Sequence, residues 1–533
     1  MNCAVFEQDG QQVMLDCGVN FPDDELIGVD KLIPDFALLM KRSKNITAII
    51  ITHGHMDHIG ALPELMHLID VPVFLPRFAA GLVKHQLAEA GFEENEVDIR
   101  VIKAGDRVKI GPFEAEFVHT THSIPDCLAV ALHTDVGVLV HTADFKIDEA
   151  PFNEQPIDLP KFKSLGDAGV RALFSDSTNI LRAGSTVSES AVRVGLEEVT
   201  RAARGRVFVT MFSTNLFRIQ ALLEVAALTG RRLLLLGRSL QRNVQIGRDL
   251  GLLKVAADVW IDEDAAHSVP EDQLIIACTG SQAQPRAALG RMAFDSLAGY
   301  QLTAGDTVVF SARSIPGNES GIARLKDQII RRGATVIDSG PVHCSGHACR
   351  DEQARMLELV RPKSFIPVHG DHRYLVAHAA LAAELGITRD SHVLDNGHVL
   401  EIGPKKCRVV DTFNPQQICV SGTAFGTLRG DAVRARKRLA SRGLGVIILV
   451  VDSASGDLEQ APEIENHGLF DAAYAGGLIE DILDATEDAF YDLSASARMN
   501  GDRAAEAVRV GVLRMFRKQT RRKPYIMPII VYV

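Results

Sequence analysis

Ile49-Ile-Ile-Thr52-His53-Gly-His55-Met-Asp57-His58 decides how this chain is read. A run of β-branched apolar residues, the mark of a strand, breaks into a loop carrying three histidines and one aspartate within six positions. Imidazole and carboxylate suit a borderline divalent ion such as Zn²⁺. His53 and His55, two apart, can point the same way from an extended segment. Asp57 and His58 then fall on the following turn and can face a second ion. A chance polar loop after a strand is the competing reading, but this residue set at this spacing seldom serves packing.

Four ligands do not close two sites, so others must come from far along the chain. His119 and His122 sit in Val118-His-Thr-Thr-His-Ser-Ile-Pro125. Asp144 follows the apolar run 136–140 and has two oxygens with which to bridge two ions. His343 and His347 lie in Val342-His-Cys-Ser-Gly-His-Ala348, and His369 in Pro367-Val-His-Gly370. Taken alone, each is more often a hydrogen-bonded structural residue; together they point to a two-metal centre. Two ions sharing an oxygen can hold a hydroxide at neutral pH and clamp an in-line displacement at phosphorus. The same hydroxide attacks thioesters and amides, so the motif specifies hydrolysis and leaves the substrate open.

The surrounding pattern supplies a scaffold. Up to about residue 150, short apolar runs alternate with turn residues, with helical patterns after Gly60 and over 77–90, as in a β-rich sandwich carrying outer helices. From about 170 to 340, apolar strands end in small polar loops followed by helices, the rhythm of a parallel α/β sheet. Such sheets bind ligands at the carboxyl ends of their strands. Strands return over 336–420, and 425–533 reads as a small α+β domain. The best linker candidate is 403–430.

Composition narrows the function. The 533 residues carry a net charge of −11, which excludes a chain coated in cations for gripping nucleic acid. The basic runs at Arg434–Arg438 and 514–523 read as solvated helix faces before they read as binding patches. Any groove for a polyanion is therefore local, and its binding strongly salt-dependent. A single Trp and 6% aromatic residues limit base stacking. Eight scattered cysteines without a C-x-x-C pair make a disulfide framework improbable and fit a reducing cytoplasm. The amino terminus has no basic segment leading into an apolar one, and no apolar run is long enough to span a bilayer; neither a secretory signal nor a membrane association is expected.

These residues resemble a known family. His53-x-His55-x-Asp57-His58, His122 and Asp144 look like the metallo-β-lactamase fold, and Asp176, His347 and His369 look like the added motifs of its β-CASP branch of nucleases. The bacterial ribonuclease J family is the closest resemblance, through Phe21-Pro-Asp-Asp-Glu-Leu-Ile-Gly-Val-Asp30, Thr121–Pro125, Thr279-Gly-Ser-Gln282, Ile315-Pro-Gly-Asn-Glu319, the His347 loop and Pro367–Gly370. The resemblance covers most of the chain and is weakest after about residue 420.

It implies an α/β architecture: a metallo-β-lactamase αββα sandwich over 1–180 and 341–420, a β-CASP domain inserted at 181–340, and a carboxy-terminal α+β domain over 421–533 that supports dimers or tetramers. It also implies two Zn²⁺ per chain, with Mn²⁺ or Mg²⁺ as alternative supports of turnover. His53, His55 and His122 would hold the first ion and Asp57, His58 and His369 the second, with Asp144 as bridge. Asp176 would orient a ligand histidine, Asp16 would buttress the metal loop, and His347 would face the scissile phosphate. The implied substrate is single-stranded RNA, degraded 5′ to 3′ from a 5′-monophosphate and also cut internally, in mRNA decay and rRNA maturation. Ser213, Asn215, Gly280, Ser281, Gln282, Ser311, Arg313 and His343 are the candidates for substrate contact, ordinary strand-to-helix capping being the competing reading.

Departures are visible. The family has a glycine-rich strand ahead of the position of Met1. Phe217 stands where a histidine is common, Arg313 where many members have serine, and His372 where an acidic-aromatic pair is usual. Cys344 and Cys349 are expected to pack, not to bind metal. The rival readings are another β-CASP nuclease, acting on DNA or on RNA 3′ ends, and a non-catalytic RNA-binding paralogue. The latter would be marked by lost ligands, and none is lost.

Overall fold

Two sheets face each other across the first core of the computed structural model. It describes every residue except 23–25, 43–44, 255–257, 285, 298, 316, 423–426, 429, 472–475 and 522. The blocks 21–30 and 315–319, the linker 403–430 and the basic run 514–523 therefore lie partly outside the described residues. One sheet runs Ala4–Gln8, Gln11–Leu15, Ile46–Ile50, Val73–Pro76 and Ile99–Ile102 in spatial order. The other runs Ser364–Val368, Val170–Asp176, Gly137–His141, Leu128–Thr134, Phe113–His119 and Arg107–Ile110.

Side-chain alternation explains the layering. In Leu128–Thr134, Leu128, Val130 and Leu132 join Val13, Ile50 and Phe117 between the sheets. Ala129 and Ala131 point the other way, onto Phe162, Met356 and Leu381 of the outer helices. Small residues on that face let the helices Leu159–Ala168, Arg350–Val360 and His372–Glu384 pack close. A sheet apolar on both faces must be covered on both.

Strands Val170–Asp176 and Ser364–Val368 are parallel neighbours in register Asp176↔Val368. Between them the chain leaves the sandwich and builds a second, all-parallel sheet in the order Trp260–Ile261, Arg232–Leu236, Leu274–Cys278, Val207–Thr210, Thr307–Phe310, Thr335–Ile337. The loops carrying Ser213, Gly280 and Ser311 share one edge of this sheet, where its strands end. The chain then returns, and the register sets His369 one residue beyond the partner of Asp176.

Compact packing divides the chain into 1–20 with 33–417, and 21–32 with 418–533. In the second unit, Leu444–Val451 lies between Glu463–His467 and Tyr525–Tyr532. Ile447, Leu449 and Val451 pack against Ile482 and Phe490 of helix Gly476–Tyr491 and Val508, Val512 and Phe516 of helix Gly501–Gln519. The helix Gly430–Arg442, which bears Arg434, Arg436 and Arg438, buries none of its described residues, as a solvated face does.

Candidate metal centre

Each candidate ligand sits where a strand ends. His53 follows Ile46–Ile50 through Ile51 and Thr52, and Asp57 and His58 open the short helix Met56–Ile59. His122 follows Phe113–His119, Asp144 follows Gly137–His141, and His369 follows Ser364–Val368. Asp16, Ala143 and His369 take left-handed φ of 60°, 55° and 56°. Such strained turns cluster at functional sites, and here they aim successive strand ends at one point.

Two groups form there, His53, His55 and His122, and Asp57, His58, Asp144 and His369, and a third, Asp144, Asp176, His347 and His369, overlaps the second. His55 Nδ1 lies 3.1 Å from both His53 Nε2 and His122 Nε2. Asp144 Oδ2 lies 3.2 Å from His58 Nε2, 3.4 Å from His369 Nε2 and 3.8 Å from His53 Nε2 and His122 Nε2. That single oxygen is common to both groups.

The far nitrogen of each ring fixes its tautomer, which tests whether the set suits a cation. His122 Nδ1 is 2.6 Å from the Gly346 carbonyl, an acceptor only, so Nδ1 carries the proton and Nε2 offers its lone pair. His58 Nδ1 donates to Asp16 Oδ2 at 2.8 Å. His53 Nδ1 meets the Thr52 hydroxyl at 3.0 Å, and that hydroxyl donates to Asp16. His369 Nδ1 meets the Thr178 hydroxyl at 2.7 Å, and that hydroxyl donates to Asp176 Oδ1 at 2.7 Å. Four Nε2 atoms, His55 Nδ1 and two carboxylates thus converge, a donor set that suits divalent metal ions once His58 and His369 give up the protons their carboxylate neighbours favour.

Electrostatics separate the two groups. Burial lowers His53 and His122 well below the ordinary imidazole range and pushes His55 down to about 4, so this trio is neutral. Burial acts the same way on His58 and His369, but carboxylates outweigh it. Asp144, Asp57 and Asp16 hold His58 well above its ordinary value. Asp144, with Asp176 and Asp57, raises His369 to about 10. Asp144 and Asp57 stay ionised despite burial, held down by the histidines around them.

Asp176 is fully buried and uses both oxygens. Oδ2 takes the Nδ1 proton of His347 at 2.8 Å, and Oδ1 serves His369 through Thr178. Its direct partner is therefore His347, and the ligand histidine is reached through a hydroxyl. His347 stays 22% exposed, with Asp176 raising its proton affinity against the effect of burial.

Some candidates are engaged elsewhere. His119 bonds to the Gln155 carbonyl at 2.9 Å. Asn215 caps helix Leu216–Thr229, accepting from Arg218 N–H at 3.0 Å. Ser311 donates to the Val342 carbonyl at 2.6 Å. Gln282 bonds to Arg313 O, Ile315 N and Asn318 Nδ2. Ser213 accepts from Asn243, and Ser281 is buried. Gly280 takes a φ of +120°. Arg313 is exposed, while His343 is half-buried with neither ring nitrogen hydrogen-bonded. Phe217 is buried and lines a 560 Å³ cavity with Arg77, His119, Glu154 and Leu252. None of the eight cysteines is in a disulfide; Cys344 and Cys349 are buried, as packing residues are.

Several partners of the site are invisible in a motif. Asn2 donates from its backbone to Asp57 O at 2.8 Å and from Nδ2 to Asp57 Oδ2 at 3.3 Å. A Cβ on Gly18 would sit 1.6 Å from Asp57 O, and one on Gly346 would sit 2.6 Å from His122 Cε1. Below the His347 loop, Arg218 pairs with Glu189 at 3.0 Å and Lys146 with Asp148 at 3.3 Å, both cations buried.

Known proteins are similar to this chain over nearly its whole length. A ribonuclease J from Sinorhizobium meliloti is 38% identical over 98% of this chain and 93% of its own length. The chain belongs to the ribonuclease J family. Its relatives of that name from Mycolicibacterium smegmatis (35% identity, all of this chain, 95% of that protein) and Helicobacter pylori (31%, 99% and 77%) span the same range. Family models match in order: metallo-β-lactamase superfamily at 2–156, ribonuclease J β-CASP domain at 204–329, Zn-dependent metallo-hydrolase RNA specificity domain at 341–393 and ribonuclease J carboxy-terminal domain at 431–533. Asp176 lies outside all four. A solved structure of a protein of unknown function from Enterococcus faecalis shares the fold, with TM-score 0.51 and 14% identity over 76% of this chain and 96% of that one. As a ribonuclease J-family member, the chain is a metal-dependent nuclease of the hydrolase class.

Proposed function

We propose that this chain degrades single-stranded RNA from 5′-monophosphorylated ends and also cuts it internally, using two Zn²⁺ per chain. The observation that carries the reading is Asp144 Oδ2, a single oxygen within 3.2 to 3.8 Å of four histidine Nε2 atoms drawn from both ligand groups. His53, His55 and His122 would hold one ion, Asp57, His58 and His369 the other, and Asp144 both. Bound there, the ions would supply an activated water and a clamp on the phosphoryl oxygens. The protein's own part is to hold Nε2 lone pairs in place through Asp16, Thr52, Thr178, Asp176 and the Gly346 carbonyl. His347, its proton affinity raised by Asp176, would donate to the charge developing on the scissile phosphate.

The 5′-phosphate would lie at the strand-end edge of the parallel sheet, near Ser213, Gly280, Ser281, Arg313 and His343. Backbone N–H groups and a guanidinium there suit a phosphate. The side chains of Asn215, Gln282 and Ser311 would act one step back, holding those loops. The RNA specificity match at 341–393, which contains His347 and His369, favours RNA over DNA. Eight cysteines without a disulfide accord with work in a reducing cytoplasm, in RNA decay and maturation. An apolar outer sheet face in the carboxy-terminal unit suits a homodimer.

The test uses a single-stranded RNA labelled at its 3′ end, carrying a 5′-monophosphate or a 5′-triphosphate, incubated with wild type and Asp57→Ala. The expected result is metal-dependent loss of the monophosphorylated RNA without discrete intermediates, slower attack on the triphosphate, and no cleavage by the variant. Binding without cleavage by wild type would indicate the non-catalytic paralogue.

A further inference from the structure

Glu352 is 3% exposed and belongs to neither ligand group. It is the third residue of helix Arg350–Val360, and its Oε2 accepts from the backbone N–H of the N-cap residue Cys349 at 2.8 Å. That contact is half of an ordinary capping box. Three further donors reach the same carboxylate. Ile147 N–H, 205 residues away in sequence, lies 2.7 Å from Oε1. Thr186 N–H and Thr186 Oγ1 lie 2.7 and 2.6 Å from Oε2. One buried carboxylate thus binds three chain segments that are far apart in sequence.

Two of those segments carry the chemistry. Ile147 is three residues past Asp144, and Cys349 is two past His347. They also meet directly, Ala348 N–H donating to the Phe145 carbonyl at 2.6 Å. Thr186 belongs to the crossing into the β-CASP domain, where Asn179 Nδ2 holds the His347 carbonyl at 2.9 Å. A helix cap would need one of the four bonds; the other three fix the spacing between the shared metal carboxylate and the proposed phosphate-facing histidine.

We propose that Glu352 is a positioning residue that sets the distance between His347 and Asp144. The inference rests on the reading that His347 acts at the scissile phosphate. Only an ionised carboxylate offers acceptors on both oxygens to four donors. Glutamine has the same shape, but its NH₂ would face either the Ile147 N–H or the Thr186 and Cys349 N–H groups, donor against donor.

The experiment compares Glu352→Gln, His347→Ala and the double variant in the full chain, reading single-turnover rate, half-saturating RNA and bound metal. The expected result for Glu352→Gln is a rate loss of roughly ten- to hundredfold, with half-saturation and metal content unchanged. The double variant should be no slower than His347→Ala alone, since both act through one group. Wild-type rate in Glu352→Gln beside a slow His347→Ala overturns the inference and spares the role of His347. Wild-type rate in His347→Ala overturns both. Loss of metal in Glu352→Gln, or additive losses, also overturns the positioning role. If Glu352→Gln does not fold, Thr186→Val decides: a slower rate that Thr186→Ser restores supports the inference, and an unchanged rate overturns it.

Discussion

Asp16 and Asp176 are matched across the metal centre. Each carboxylate takes one histidine Nδ1 directly at 2.8 Å, His58 for Asp16 and His347 for Asp176. Each takes a second through a threonine hydroxyl, His53 by way of Thr52 and His369 by way of Thr178. Two buried anions therefore fix the proton positions of four of the rings that face the reaction.

Removing one anchor should loosen metal without removing a ligand. Asp16→Asn is expected to weaken metal binding by roughly ten- to hundredfold, the usual cost of losing such a partner. Thr52→Val, which leaves the His58 contact in place, should cost less. Competitive zinc titration against a chelating dye reads both. Equal affinity in all three proteins would show that the rings hold their own orientation.

Loss of a ligand should be more severe. Asp57→Ala and His58→Ala are expected to abolish cleavage while the far-ultraviolet circular dichroism stays close to wild type, because Asp57 is half-buried and both lie in one short helix. RNA cleavage by either variant after metal is stripped would refute the mechanism.

His347→Ala separates catalysis from metal binding. Its zinc content should match wild type, while cleavage slows by roughly a hundredfold or more, as loss of transition-state stabilisation does. Zinc loss in this variant would make His347 a ligand.

The two ions proposed for the site should differ in their response to pH. The first trio is neutral, His55 lying at about 4, so its affinity should be nearly flat between about pH 6 and 8. His369, raised to about 10, and His58 must each release a proton before a cation binds, so the second affinity should climb with pH. The stability sign follows from the same shift. The folded value of His369 lies above its unfolded value, so its contribution to the metal-free protein is full below about 6.5 and fades as pH rises through about 10. Calorimetric titration at several pH values and thermal melts of chelator-treated protein check both halves. A second affinity independent of pH would contradict them.

In the carboxy-terminal unit, Tyr525, Met527, Ile529 and Val531 alternate along one strand and are 38–49% exposed. Exposed apolar rows of this kind mark association surfaces. Met527→Lys with Ile529→Glu should shift the protein to a monomer in analytical ultracentrifugation and leave zinc content intact. An unchanged mass would place the contact elsewhere.

The ligands are legible in the sequence because packing alone rarely puts three histidines and an aspartate into the loop after an apolar strand. Placement just past an apolar run marks His122, Asp144 and His369 as candidates together with His119, His343 and His347, and only the family resemblance separates them. What escapes depends on geometry alone. Thr52 and Thr178 look like any polar residue after a strand, and their task appears only when an aspartate and an imidazole meet them. Arg218 follows a helix cap in a run that reads as an ordinary helix start, yet it is buried against Glu189. Glu352 reads as a capping glutamate, which it also is. The strand Glu463–His467 escapes because it alternates charged and apolar residues too briefly to stand out. The loops proposed to meet substrate fall on the expected edge of the parallel sheet, but the internal hydrogen bonds of Asn215, Gln282 and Ser311 show only in the structure.

Because the β-CASP domain is inserted between two adjacent strands of the sandwich, synthesis of the protein carries an order. The ribosome releases His53, His55, Asp57, His58, His122 and Asp144 early. The Gly346 carbonyl that orients His122, and His369 itself, arrive only after the whole insert has been made. A chain that terminates anywhere within the insert holds most of the candidate ligands and lacks His369. The candidate metal centre is thus completed only after the insert has been made, with residues 370–533 of this sequence still to be translated.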